Sequence, residues 1–198
     1  CGAGTYYNGE APYIQDQCIL CPGNSSSVAA SSSIIDCVCN SGYLRSSFAT
    51  QELCQVCPVG FYCTTQFTSI ACSSGSSSLA GSISSNDCTC SAGYYGEPNS
   101  CLRCPVNSYC PGGASNVSCP LYSSTLGMGG ITNISGCICQ AGFYETNVNG
   151  EVVCTECPKN SYCANDVQQQ CPANSTSRKG QDSIADCFCD EYFTKDVT

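Results

Sequence analysis

Four Cys-x-x-Cys pairs and four Cys-x-Cys pairs are the residues of this sequence whose type and spacing could do chemistry. The first set is Cys18/Cys21, Cys54/Cys57, Cys101/Cys104 and Cys154/Cys157; the second is Cys37/Cys39, Cys88/Cys90, Cys137/Cys139 and Cys187/Cys189. Thiols so spaced can ligate zinc, cycle as a redox dithiol or form structural disulfides. Zinc ribbons place two Cys-x-x-Cys pairs around one loop, whereas half of the paired cysteines here stand in Cys-x-Cys and the chain has no His. A redox motif needs a βαβ scaffold and an exposed thiolate, and the sequence signals neither. With 23 Cys in 198 residues, structural disulfides are the reading adopted. They require an oxidising compartment, since a reducing cytosol would leave the chain without staples.

Other chemistry has little to stand on. Without His, no Ser/His/Asp or Cys/His mechanism is open to the chain, and its carboxylates are scattered; the adjacent Asp190-Glu191 reads as solvated surface. The chain is therefore expected to be non-enzymatic, with no cofactor. The positive signal is for carbohydrate: Asn24-Ser25-Ser26, Asn116-Val117-Ser118, Asn133-Ile134-Ser135 and Asn174-Ser175-Thr176 are N-glycan acceptor sequons, and Asn24 and Asn174 each stand three residues after a cysteine. The serine runs suggest O-linked sugar from composition alone.

The elements that position these residues cannot draw on one large core. Six Phe, no Trp and few long aliphatic runs leave too little apolar surface, so small cross-linked modules are expected. Fifteen acidic against six basic residues give a pI near 4.1. Arg45, Arg103, Lys159, Arg178, Lys179 and Lys195 are too dispersed to track phosphates, so nucleic acid is excluded as a partner. No apolar run approaches the ~20 residues that cross a bilayer. The sequence opens at Cys1 without a basic or apolar leader, so any signal peptide or anchor is expected outside these residues, in a longer parent protein.

Internal repetition decides the architecture. A glycine plus aromatic follows the Cys-x-Cys landmark at Gly42-Tyr43, Gly93-Tyr94 and Gly142-Phe143, and proline follows Cys-x-x-Cys at Pro22, Pro58, Pro105 and Pro158. The two landmarks alternate with a period of about 50 residues, within the range of repeat arrays. In the last three repeats Tyr62-Cys63, Tyr109-Cys110 and Tyr162-Cys163 follow the proline, and Cys72, Cys119 and Cys171 come next.

The run Cys104-x5-Cys110-x8-Cys119-x17-Cys137-x-Cys139-x2-Gly142-Phe143-x10-Cys154 resembles an EGF-like module, and the Cys-x-x-Cys-Pro landmarks resemble ephrin-receptor-like cysteine-rich repeats. The EGF-like resemblance implies pairing of first with third, second with fourth and fifth with sixth cysteine; spacing alone leaves 15 pairings open for six cysteines. Carried onto this chain it implies Cys57–Cys72, Cys63–Cys88, Cys90–Cys101, Cys104–Cys119, Cys110–Cys137, Cys139–Cys154, Cys157–Cys171 and Cys163–Cys187. Upstream it implies Cys1–Cys18, Cys21–Cys37 and Cys39–Cys54. Cys189 is left unpaired within the segment, its partner expected beyond residue 198 or on another chain. The implied modules are residues 1–18 (the C-terminal half of an upstream module), 19–54 (a short four-Cys module), 55–101, 102–154 and a truncated 155–198. Tyr192 stands where glycine would follow the last Cys-x-Cys. Calcium-binding EGF-like modules carry acidic clusters of which Gln51-Glu52 and Glu151 are incomplete echoes, so no metal is assigned.

The expected fold is thus small and disulfide-rich: tandem EGF-like modules of short β-hairpins with little or no helix. The serine segments Ser31–Ser33, Ser73–Ser78 and Ser82–Ser85 are expected as exposed turns and hairpin arms. Two-residue junctions at each Cys-x-x-Cys predict an extended, stiff rod. The function expected is an extracellular spacer in a glycosylated coat, matrix or appendage filament, with protein partners that include copies of itself. The alternative is a ligand-binding or adhesion ectodomain of a cell-surface receptor, which should carry an aromatic or charged cluster unique to one repeat.

Overall fold

A computed structural model describes residues 1–7, 18–46 and 54–189. Among them the chain forms eleven two-stranded antiparallel hairpins and four single turns of 3-10 helix. This is the small disulfide-rich fold that the composition predicts. The fully interior apolar side chains are cysteines, while large apolar residues such as Leu79, Phe67 and Val28 face solvent. Sulfur therefore does the work of a core.

A short motif generates the hairpins. Two residues after a cysteine the chain enters a turn, and the third residue takes the left-handed conformation, as at Gly60, Gly75, Gly93, Asn107, Asn160 and Asn174. Gly and Asn are the residues that adopt it at least cost. A strand follows, and the chain returns to place the second cysteine after the turn on the carbonyl of that turn residue: Cys72 N–H donates to Gly60 O (2.9 Å), Cys104 N–H to Gly93 O (2.8 Å) and Cys171 N–H to Asn160 O (3.0 Å). Three hairpins follow one another from Cys1, from Cys57 and from Cys104, and two are described from Cys157 onward.

The middle hairpin carries the 3-10 turn, Ile34–Asp36, Ser85–Asp87, Ile134–Gly136 or Ile184–Asp186, just before the Cys-x-Cys pair. Ser33, Ser84 and Ser183 cap three of these turns, and Asp36, Asp87 and Asp186 reach back to the cap backbone, closing capping boxes. Asp87 Oδ2 accepts from Ser84 N–H at 3.0 Å and Ile83 N–H at 2.8 Å. Caps of this kind are each worth about 1 kcal/mol. In the third repeat Asn133 caps and Gly136 replaces the Asp, because the Ile131 side chain occupies the space a Cβ there would need.

The disulfides correct the crossed pairing. Cys57–Cys63, Cys104–Cys110 and Cys157–Cys163 close loops with a sequence separation of 6. Cys72–Cys88, Cys119–Cys137 and Cys171–Cys187 staple the middle hairpins. The six pairings Cys57–Cys72, Cys63–Cys88, Cys104–Cys119, Cys110–Cys137, Cys157–Cys171 and Cys163–Cys187 do not form. The turn at Pro58–Gly60 reverses the chain at once, bringing the Cα atoms of Cys57 and Cys63 to 5.9 Å. Cys72 is carried instead to the mouth of the next hairpin, where Cys88 lies 5.8 Å away. The pairs Cys1–Cys18, Cys21–Cys37, Cys39–Cys54, Cys90–Cys101 and Cys139–Cys154 are present as drawn.

The backbone hydrogen bonds of the described residues of 1–18, expected as the C-terminal half of an upstream module, and of Cys21 match those of the hairpin that opens at Cys57. Ala30 N–H donates to Cys1 O as Gly81 does to Cys57 O, Tyr7 N–H donates to Ser31 O as Cys63 does to Ser82 O, and Cys21 N–H donates to Gly4 O as Cys72 does to Gly60 O. Tyr7 thus stands where the second cysteine belongs, and Cys18, its cross-strand partner, supplies the sulfur from the opposite strand. Facing positions on an antiparallel pair lie about 5 Å apart, so either can reach Cys1. By these bonds the hairpins that follow Cys1 and Cys21 correspond to those that follow Cys57 and Cys72.

In that frame Cys189 is equivalent to Cys39, Cys90 and Cys139, and it is the free cysteine. Denaturing thiol titration of the 198-residue chain is expected to return one thiol, which peptide mapping places on Cys189. A label on another cysteine with Cys189 bridged would mean that the fourth repeat is framed wrongly.

The serine runs differ from expectation. Ser27, Ser78 and Ser177 are buried and donate Oγ–H to Thr5 O, Phe61 O and Ser161 O, and Ser31 and Ser82 are buried too, bonded to Val28 O and Leu79 O. A thin module has no apolar layer to hide its backbone carbonyls in, so small hydroxyls satisfy them from inside.

The chain divides into two compact units, Cys1–Ser91 with Gly96–Cys101, and Ala92–Tyr95 with Leu102–Thr198. Inside the first, the next repeat clasps the Cys-x-Cys strand before it: Cys39 N–H donates to Gln66 Oε1 (2.9 Å) and Arg45 N–H to Gln66 O (2.7 Å). Inside the second, Cys139 N–H donates to Asp166 Oδ1 (3.0 Å) and Glu145 N–H to Asp166 O (3.3 Å). The two residues of these junctions are strand, Gln55-Val56 within Cys54–Val56 and Thr155-Glu156 within Glu151–Glu156.

Candidate functional site

Two kinds of residue could carry function: the glycan acceptors and a groove particular to the third repeat. All four acceptor asparagines are exposed. Asn24 and Asn174 occupy the left-handed turn position (φ 61 and 58), so Asn there also serves the backbone. Asn116 immediately precedes the strand Val117–Ser118. Asn133 is the N-cap of the 3-10 turn, and its Oδ1 accepts from Ser135 N–H at 3.1 Å and from the sequon hydroxyl of Ser135 at 2.5 Å. Its amide is thereby held in one orientation at the surface.

Every cysteine of these pairs but Cys189 is in a disulfide, and among the described residues no His/Cys/Asp/Glu group is arranged to bind a metal ion. No helix among them is long and apolar enough to cross a membrane. Gln51-Glu52, Asp190-Glu191, Tyr192 and Lys195 lie outside the described residues.

The groove was not foreseen. At the turn position that holds Asn24, Gly75 and Asn174 elsewhere, the third repeat has Tyr122, with φ 63. A bulky side chain there costs about 1–2 kcal/mol. The Tyr122 ring stacks on Phe143 with centroids 4.4 Å apart and planes 10° from parallel, which offsets part of that cost. Tyr122 and the preceding Leu121 remain 54% and 82% exposed. The third hairpin of this repeat is also long, Phe143–Val148 on Glu151–Glu156, against Tyr43–Arg45 on Cys54–Val56 in the first. Together they wall a groove of about 660 Å³ lined by Tyr109, Leu121, Tyr122, Ile134, Glu151 and Val152 among others. The sequence signal was present: Cys119-Pro120-Leu121-Tyr122 against Cys21-Pro22-Gly23-Asn24 and Cys171-Pro172-Ala173-Asn174.

The chain is similar to Cysteine repeat modular protein A of Toxoplasma gondii, at 33% identity over 206 aligned positions that take in 91% of this chain. It spans about 6% of the length of that relative. No family model matches the chain. With eleven disulfides repeating in a fixed order, the chain is a cysteine-rich, disulfide-bonded repeat protein.

Proposed function

We propose that this segment is a non-enzymatic, extracellular spacer of a longer glycosylated protein, built for length and resistance to proteolysis. The observation that carries the reading is the core made of cystine. Every described cysteine but Cys189 is bridged, and no stable alternative core exists for a reducing compartment. Successive repeats inside each unit share backbone hydrogen bonds through strand rather than coil, which suits a load-transmitting element. Four exposed acceptor asparagines suit a glycan sheath, and protein partners, including further copies in a coat or filament, are the contacts such a segment would make. The finer assignment we favour is ephrin-receptor-like repeats, because the Cys-x-x-Cys-Pro landmark survives the change of pairing and the crossed EGF-like pattern does not.

A receptor or adhesion ectodomain is the second reading, and the Leu121–Tyr122 groove favours it, being particular to one repeat. Solution scattering bears on the first. A spacer is expected to give a radius of gyration well above the ~16 Å of a compact globule of this length. A value near that of a globule would reject the spacer, and low-resolution images of the parent molecule would then show an isolated ectodomain rather than a polymer.

A further inference from the structure

We propose that the groove of the third repeat is the resting place of the chain's own carbohydrate: the first sugars of an N-glycan on Asn133 lie against Leu121 and Tyr122. The inference rests on the reading of Asn133 as a glycosylated residue.

Two independent departures from the repeat meet here. Asn133 takes the cap position that Ser33, Ser84 and Ser183 hold elsewhere, which places an acceptor on this turn in the third repeat alone. Leu121-Tyr122 takes a turn position that elsewhere holds small or turn-forming residues, leaving an apolar platform open in that same repeat. The residue after the acceptor, Ile134, lines the groove. The bonds from Ser135 to Asn133 Oδ1 fix the point of attachment beside it.

The chemistry of the lining fits a pyranose. One face of such a ring is a plane of C–H groups, which settles on the face of an aromatic ring, and Tyr122, held by its stack on Phe143, lines the groove. The hydroxyls at the ring edge need polar partners, and Tyr109, Ser118 and Glu151 stand among the apolar lining residues. At about 660 Å³ the groove falls within the range that encloses small organic ligands. A tethered sugar needs little intrinsic affinity, because attachment beside the groove gives it a high effective concentration. A strained tyrosine kept exposed at a turn is also what a site held for contact would show.

The test uses the chain secreted from an N-glycosylating eukaryotic host. Peptide mass mapping first records occupancy at Asn24, Asn116, Asn133 and Asn174. Native release by a peptide N-glycosidase is then followed site by site, with the reduced and denatured chain as reference. The glycan on Asn133 is expected to leave about tenfold more slowly than that on Asn174, equivalent to about 1.4 kcal/mol of cover, and equally fast after denaturation. Leu121→Ala with Tyr122→Gly, which restores the residue type of Gly75, is expected to abolish the difference while leaving the disulfide map unchanged. Release from Asn133 as fast as from Asn174, protection that survives the double variant, or protection at Asn116 instead would each overturn the proposal. An unoccupied Asn133 would overturn the glycosylation reading at that residue, and the occupancy map reports it before any rate is measured.

Discussion

Removing the staple of a middle hairpin, as Cys72→Ala with Cys88→Ala, is expected to destabilise the second repeat by about 3 kcal/mol. Removing Cys57 and Cys63 together is expected to cost about 2 kcal/mol. Both figures follow from the entropy of closing loops with sequence separations of 16 and 6. The difference matters more than the size, since under crossed pairing each double variant would break both Cys57–Cys72 and Cys63–Cys88 and the two losses would be equal. Urea denaturation of the oxidised variants measures it. Non-reducing peptide mapping should recover Cys57 linked to Cys63 and Cys72 linked to Cys88. A Cys57–Cys72 peptide would refute the sequential pattern and restore the EGF-like one. Full reduction should unfold the chain outright, because Cys37, Cys57, Cys88 and Cys157 are completely buried and, among the described residues, no aliphatic cluster stands behind them.

The second large effect is expected where one repeat's turn glycine meets the backbone of the next. A Cβ on Gly42 would stand 2.5 Å from Gly81 O, and a Cβ on Gly142 would meet Gly180 O still more closely; both glycines have positive φ, 82 and 81. Backbone cannot swing aside as a side chain can. Gly142→Ala should therefore cost the left-handed penalty of about 1–2 kcal/mol and about 1–3 kcal/mol more for overpacking. Gly150→Ala is the control. Gly150 shares the positive φ (88) but has open space around it, so it should show the first cost alone. Equal losses in the two variants would mean that the repeats are not in contact at this point. A larger loss at Gly142, accompanied by faster hydrogen exchange at Cys157 N–H, which donates to Gly142 O, would localise the damage to the junction.

Much of the fold was legible in the sequence because its signals are local. The alternation of Cys-x-Cys and Cys-x-x-Cys-Pro reported a tandem architecture, and the scarcity of large aromatic residues reported small modules. The glycine that follows Cys-x-Cys, at Gly42, Gly93 and Gly142, marked tight turns, and all three have positive φ. Ser33-x-x-Asp36, Ser84-x-x-Asp87 and Ser183-x-x-Asp186 were equally legible as capping boxes, although the aspartates read only as scattered charge. The four acceptor sequons were legible as motifs, and the structure leaves them exposed.

What spacing could not decide is which sulfur meets which. Cys63 is six residues from Cys57 and nine from Cys72, and either pairing closes a loop of ordinary length. The choice falls to the direction the chain takes after Pro58, which is set by a left-handed Gly60 and by the hydrogen bonds that Cys57 and Cys63 exchange with Gly81 and Ser82 some twenty residues on. The frame of the first repeat was hidden for the same reason. Cys18 replaces a cysteine at position 7 across a hairpin rather than along the chain, and linear spacing does not register cross-strand neighbours. Burial of Ser27, Ser78 and Ser177, and the meeting of Leu121, Tyr122 and Phe143 beside Asn133, likewise depend on hairpins folding over one another. Composition and local motifs determined that this chain is an array of small cystine modules; tertiary contacts decided how the cysteines pair and which repeat presents a face unlike the others.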